Sequence, residues 1–144
     1  MSGKKQIAAL PFVLGEHGIE FYLITSRETG RWIVPKGWPK KGLRPCELAE
    51  REAFEEAGLK GRIERKPSGQ FSYVKRLEGG KEIVCVVAVY AMLVEEQATS
   101  WPEKGQRQGR WAGRAEAVRL ISDPELAALI KRYQPSATLT KKAA

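Results

Sequence analysis

The sequence predicts an α/β fold in which one mixed β-sheet lies between two layers of helices. Three observations carry that reading. The run 83–94 (IVCVVAVYAMLV) is apolar at nearly every position instead of alternating, the pattern of a strand covered on both faces. A helical segment, Pro45–Ala57, stands between two groups of β-rich runs. Near the end of the chain, Leu126, Leu129, Ile130 and Tyr133 share one face of a second helical segment.

Each element has a local reason. The apolar run 6–14 is bounded by Gly15-Glu16-His17-Gly18 and followed by IEFYLIT at 19–25, which reads as a β-hairpin with a solvated His17 in its turn. Trp32-Ile33-Val34 forms a short strand stopped by Pro35, and residues 36–44, rich in Gly, Pro and Lys, form a loop. Pro45 suits the first turn of a helix and Gly58 its stop. Strand signals resume at 62–64 and 71–77, and Glu78-Gly79-Gly80 turns the chain into the long apolar run. Residues 95–110 read as a polar loop and 114–120 as a short helix. Ser122-Asp123-Pro124-Glu125 has the form of a capping box that starts the last helix. Periodicity fades after Gln134, so residues 1–134 are expected as one domain and 135–144 as a loose tail.

Composition excludes several classes. A chain of 144 residues supports one domain with a core but not two ordinary ones. The longest apolar run is far short of the roughly 18 residues that a membrane-spanning helix needs. The first residues carry two lysines and no apolar stretch of signal-peptide length. Cys46 and Cys85 make no disulfide framework and no metal-type spacing, so both read as small buried apolar residues. The expectation is a cytoplasmic protein with no membrane partner.

Charge is more informative. The chain holds 25 Lys+Arg against 17 Asp+Glu, a net +8, which points to an anionic partner. That charge is unevenly spread. Residues 47–56 (ELAEREAFEE) hold five glutamates and one arginine, a local −4. Just upstream, Arg27, Arg31, Lys36, Lys40, Lys41 and Arg44 face Glu28 alone, a local +5. On a helical wheel Cys46, Ala49, Ala53 and Ala57 make a face of small side chains, while Glu52, Glu55 and Glu56 share an arc of about 100°. Like charges at this spacing cost an isolated helix roughly 0.2–0.5 kcal/mol per pair. They also lie near the helix C-terminus, where the macrodipole disfavours them. A hard divalent cation such as Mg²⁺ reverses the sign of that interaction. On composition alone the stretch reads as a solvated face, with Arg51 an i,i+4 partner of Glu47 and Glu55. The order of the residues around it favours the cation.

That order resembles the Nudix box: Gly37, then Arg51-Glu52-Ala53-Phe54-Glu55-Glu56-Ala57-Gly58-Leu59 in register. It departs at Leu43, where the pattern has its first glutamate, and mildly at Ala53, a small occupant of an aliphatic slot. The resemblance implies a Nudix-type α/β/α sandwich and hydrolysis of a phosphoanhydride in a nucleoside diphosphate linked to X, with Mg²⁺ (or Mn²⁺) as cofactor. Carried over, Glu52, Glu55, Glu56 and the Gly37 carbonyl are the metal site, and Arg51 orients a box glutamate. Glu52 is the first choice as general base, with Glu103 the second. Arg27, Arg31, Lys36, Lys40 and Lys41 would hold phosphates beyond the metal's reach. Pro35-Lys36-Gly37-Trp38 is similar to members acting on diadenosine polyphosphates or diphosphoinositol polyphosphates, with Trp38 placed to stack on an adenine. Leu43 implies weakened catalysis, or a nucleotide-binding sensor without turnover. Nucleic-acid binding through the net charge is disfavoured by the acidic helix and the lack of a recognition motif. The oligomeric state stays open.

Overall fold

The computed structural model describes residues 3–140. In chain order the elements are β1 (Lys4–Gly15), β2 (Gly18–Thr25), β3 (Trp32–Ile33), β4 (Lys36–Gly37), α1 (Pro45–Ala57), β5 (Leu59–Ile63), β6 (Gly69–Arg76), β7 (Glu82–Gln97), β8 (Gly109–Gly113), α2 (Arg114–Leu120), α3 (Pro124–Arg132) and α4 (Ala137–Thr140). A 3₁₀ turn at Glu78–Gly80 links β6 to β7.

All eight strands join one sheet, with the order β3-β2-β1-β7-β5, β4 beside β1, β6 beside β7 and β8 beside β2. β1 and β2 form the expected hairpin, closed by the Gly15–Gly18 pair. The central β1–β7 pairing is parallel, from Lys4 opposite Cys85 to Phe12 opposite Leu93, and the other pairings are antiparallel. The sheet is therefore mixed. β7 is long because it serves two partners in turn, β6 along its first half and β5 along its second.

Alternation along the central strands explains the two layers. Ile7 and Ala9 of β1, with Tyr90 and Met92 of β7, face the α1 side and pack with Cys46, Ala49, Ala53 and Ala57. Ala8, Leu10 and Phe12, with Val87, Val89 and Ala91, face the other side, where Ala117 of α2, Leu126, Leu129 and Ile130 of α3 and Leu139 of α4 cover them. The α/β/α sandwich follows, and both cysteines are buried and unpaired. The small face of α1 has a purpose here. Alanines at 0–2% exposure let the helix axis lie close to the sheet.

Four expectations change. Two further strands lie inside stretches read as loops: β4, a two-residue bridge to β1, and β8, a five-residue strand against β2. β8 carries one aromatic, Trp111, whose ring packs edge-on against Tyr22 at 5.1 Å, and it is too short to show a period. The expected capping box of α3 does not form. Asp123 stands at the N-cap without a side-chain bond, and Glu125 instead accepts the Ser72 backbone N–H at 3.2 Å, tying α3 to β6. The expected tail is ordered as far as Thr140, because Leu139 finds an apolar site and Ser136 caps the turn that presents it. Residues 141–144 of that tail lie outside the described residues.

α1 ends at Gly58, whose φ of 71° places it in the left-handed region and whose N–H reaches the Phe54 carbonyl at 2.8 Å. A second constraint acts at the same residue: a Cβ there would lie 2.3 Å from Cε3 of Trp101. Gly58→Ala thus meets both a strained φ and an aromatic ring. It is expected to lower stability by more than about 1 kcal/mol in urea unfolding, with a changed Trp101 fluorescence signal. Unchanged midpoint and emission would contradict the packing described.

Candidate active site

The second half of α1 forms one wall of a cleft of about 370 Å³. Glu52, Glu55 and Glu56 line it, as the wheel requires, and Gly37, Trp38 and Lys40 come from β4 and the loop beyond. Gln6 of β1 and Tyr73 and Lys75 of β6 form a further wall. Arg27, from the β2–β3 loop, and Glu103 and Arg107, from the β7–β8 loop, complete it.

Gly37 is required by close approach. A Cβ at this position would stand 2.6 Å from Cδ and 2.7 Å from Oε1 of Glu52. Its backbone φ is not in the left-handed region, so room for the carboxylate, not backbone freedom, is what glycine supplies.

Glu52 and Glu56 are only 8% and 6% exposed. They share a side-chain hydrogen bond, and burial pushes the Glu56 carboxyl up to about 8, reinforced by that bond and opposed by Arg107. Burial also raises the Glu52 carboxyl. Lys36, between Glu56 and the Tyr73 ring (5.3 Å from Nζ to the centroid), is pushed below its ordinary value chiefly by burial. Tyr73 donates to Gln6 Oε1 at 2.6 Å, and burial raises its phenol.

Loop 98–108 is fastened to the helix end. The Ala98 N–H donates to the Gly58 carbonyl at 2.8 Å and the Glu103 N–H to the Glu55 carbonyl at 3.0 Å. Two carbonyls of the C-terminal end of α1 are satisfied in this way. Trp101 lies over Gly58. Arg107 then reaches back into the cleft with its side chain 10% exposed. Its Nε and Nη2 donate to Glu103 Oε1 at 3.3 and 3.1 Å, its Nη1 to the Thr25 carbonyl at 3.1 Å, and Nη2 stands 3.6 Å from Glu56 Oε1. Arg27 adds a looser contact to Glu103 at 3.8 Å.

Of the residues singled out in the sequence, Glu52, Glu55, Glu56, Gly37, Glu103, Arg27, Lys36, Trp38 and Lys40 meet in this cleft. Three do not. Arg51 projects from the exposed face of α1, so the guanidinium beside the box glutamates is that of Arg107. Arg31 borders a separate small cavity with Val34 and Asp123. Lys41 is exposed on the loop outside the cleft. Arg44 caps α1, where its backbone and side chain donate to Glu47. Leu43 packs against the apolar cluster beneath α1 and stays out of the cleft. Gln6, Tyr73, Lys75 and Arg107 were missed. The only signal for Arg107 is its i,i+4 spacing from Glu103.

The donor set fits a divalent cation. Two buried carboxylates, a third from Glu55 and a main chain pressed against Glu52 form a hard oxygen environment of the kind Mg²⁺ takes. Among the described residues no three acidic, Cys or His side chains already stand at coordinating distance. Glu52 and Glu56 are bonded to each other.

Fold and site together define a class of protein: a sandwich with an acidic helix facing a cleft rimmed by lysine and arginine side chains. No family model matches the chain. Nudix hydrolase 16, mitochondrial, of Arabidopsis thaliana is 32% identical over 109 residues, 74% of this chain and 60% of the relative. Diphosphoinositol polyphosphate phosphohydrolase 3-beta of Bos taurus is 28% identical over 120 residues, 82% of this chain and 69% of the relative. The crystal structure of the C. elegans Ap4A hydrolase superposes with a TM-score of 0.64 at 18% identity, over 90% of this chain and 95% of that one, which speaks for the fold. The chain belongs to the Nudix hydrolase family. It spans about half the length of the plant relatives that match it.

A raised carboxyl has a stability consequence. Between the unfolded value near 4.5 and the folded value of about 8, the native state holds a proton that the unfolded chain has lost. Stability contributed by Glu56 is therefore full below the lower value and falls as pH rises through this window. In chelator, the melting temperature is expected to fall from pH 5 to pH 8, and Glu56→Gln to flatten that slope. A wild-type profile as flat as the variant's would refute the burial of this group.

Proposed function

We propose that the chain hydrolyses a phosphoanhydride bond in a nucleoside diphosphate linked to a second group, with a dinucleoside polyphosphate or diphosphoinositol polyphosphate as substrate and Mg²⁺ or Mn²⁺ as cofactor. The observation that carries this is the pair of buried glutamates, Glu52 and Glu56, facing a cleft rimmed by Lys36, Lys40, Lys75 and Arg27. Carboxylates hold the cation and the rim holds the phosphates. The cation would supply charge neutralisation on phosphoryl oxygens and a more acidic bound water.

The chain's own residues divide the remaining work. Glu52, Glu55, Glu56 and the Gly37 carbonyl are the metal-holding groups. Lys36, Lys40 and Arg27 orient the phosphate chain, and Trp38, at 41% exposure with Lys75 Nζ 5.3 Å from its ring centroid, offers a face at the rim. Glu52 takes the proton of the attacking water. Glu103 is the weaker candidate for that step because Arg107 and Arg27 already engage its carboxylate. Arg107 holds Glu103 against the cleft and offsets the charge on Glu56, the orienting part that Arg51 does not reach to perform.

One observation favours a second reading, a nucleotide-binding domain with little turnover: Leu43 is committed to apolar packing, so no carboxylate can serve from that position without repacking. Calorimetry that recovers the ligand intact after tight binding would select it.

A panel of nucleoside and inositol polyphosphates is expected to release phosphate-containing products only with Mg²⁺ or Mn²⁺ present. Glu56→Gln should cut that turnover by about 100-fold or more while leaving the chain folded. Normal activity in this variant would end the assignment of the metal-holding groups.

A further inference from the structure

Gln6 and Tyr73, two cleft residues with no signal in the sequence, form one bonded unit. Gln6 lies on the face of β1 that carries Ala8 and Leu10 into the core, and it is only 4% exposed. The Tyr73 hydroxyl donates to its Oε1 at 2.6 Å. That length belongs to an O–H···O bond and is short of the roughly 2.9–3.0 Å usual for N–H···O, so the carboxamide turns its oxygen to Tyr73. The other side of the phenol agrees with this sense. Cys85, directly opposite Tyr73 on the ladder, is fully buried and lays its thiol beside the hydroxyl. Sulfur is a weak acceptor, so the phenolic proton goes to Gln6.

With the oxygen held there, the NH₂ group points away from Tyr73. Among the described residues Nε2 donates to no protein atom, and the only fully enclosed side-chain polar atom without a partner is Tyr133 Oη. The Gln6 nitrogen therefore opens on the cleft that the residue lines. A donor withdrawn from bulk water and left without a protein partner is costly, and the group that satisfies it comes from the cleft. Lys36 shares the arrangement, with its Nζ 5.3 Å from the centroid of the same Tyr73 ring. One phenol thus orients two cleft groups, an amine through its ring and an amide through its hydroxyl.

We propose that Gln6 binds the substrate directly, its Nε2 donating to a non-bridging phosphoryl oxygen, and that Tyr73 is the positioning residue that holds the amide in this sense. The oxygen belongs to the phosphoryl group that Lys36 also engages, since both groups are set by one ring. Their contributions differ. The ammonium attracts any nearby anion, whereas the neutral amide rewards only an oxygen placed along its N–H direction. The assignment rests on the reading above for where the phosphates lie, and it holds whether or not they are cleaved.

The test is a titration of the ¹⁵N-labelled full chain with Mg²⁺ alone and then, in Mg²⁺, with inorganic tripolyphosphate. The side-chain amide signals of Gln6, assigned by their loss in Gln6→Met, are expected to move with tripolyphosphate and not with Mg²⁺. In calorimetry Gln6→Met, similar in length but without a donor, should weaken tripolyphosphate about tenfold. Gln6→Glu, which keeps an acceptor for Tyr73 and removes the donor, should weaken it at least as much. Tyr73→Phe keeps the ring beneath Lys36; it should weaken binding severalfold in the wild-type background and less than twofold in Gln6→Met. Amide signals unmoved at saturation, signals moved equally by Mg²⁺ alone, or a Tyr73→Phe effect undiminished in Gln6→Met would each overturn the proposal. The first two readings use the unaltered chain, so they decide even where a variant fails to fold. Absence of saturable tripolyphosphate binding would remove the phosphate cleft and the proposal with it. A chain that shows the expected shifts yet cleaves nothing in the polyphosphate panel would refute the hydrolytic reading and leave Gln6 in place.

Discussion

Two carboxyl groups one helical turn apart, taken almost wholly out of water, are the constraint around which this molecule is arranged. Glu52 and Glu56 are buried because α1 lies close to the sheet, and it lies close because its inward face is alanine and cysteine. Burial of that kind is costly unless charge is neutralised or shared. The protein meets the cost three ways: a hydrogen bond between the two groups, the buried guanidinium of Arg107, and the half-buried amine of Lys36. The first is local to the helix; the other two arrive from the β7–β8 loop and from β4, so the acidic wall is fully compensated only once the sheet is assembled.

The loop after β7 shows how the assembly is made firm. It borrows the unsatisfied carbonyls at the end of α1 for two of its own N–H groups and seats an indole on the one residue there without a side chain. Arg107 then spans from the Thr25 carbonyl on β2 to Glu56 on α1. A single side chain thereby ties the sheet, the loop and the helix into one wall. Gly58 answers two demands at once, helix termination and room for Trp101, and Gly37 answers one, room for Glu52.

How much of this was legible follows from how each element encodes itself. α1 was readable to the residue because proline, the alanine stripe and glycine mark its start, face and end independently. The sandwich was readable from β7 because a run apolar at nearly every position marks a strand covered on both faces, as most of 85–92 is, although Val84 at its start stays exposed. β4 and β8 were not, since two and five residues carry no period and their existence depends on β1 and β2 being in place. The acidic half of the site was legible because its three glutamates are neighbours in sequence. The cationic half is only partly written in proximity along the chain, which favours Arg31 and Lys41, while the resemblance favours Arg51. Folding instead delivers Arg107 and Lys75 from distant segments, and turns Arg51 out into solvent. The apparent capping box at Ser122 failed for a related reason: Glu125 had a tertiary partner in the Ser72 N–H.

The parallel ladder between β1 and β7 carries a consequence for biosynthesis. β1 precedes β7 in the chain and finds this central neighbour only after Leu93 has been synthesised, since Phe12 pairs with that residue. Until then the β1–β2 hairpin offers apolar faces and an open backbone edge with nothing to cover them, a species that chaperones recognise and that aggregates when crowded. Non-local pairing of this kind also slows folding relative to hairpin-built sheets. The nascent chain is therefore most vulnerable during the interval in which the acidic helix is being translated, before the sheet that will bury it can close.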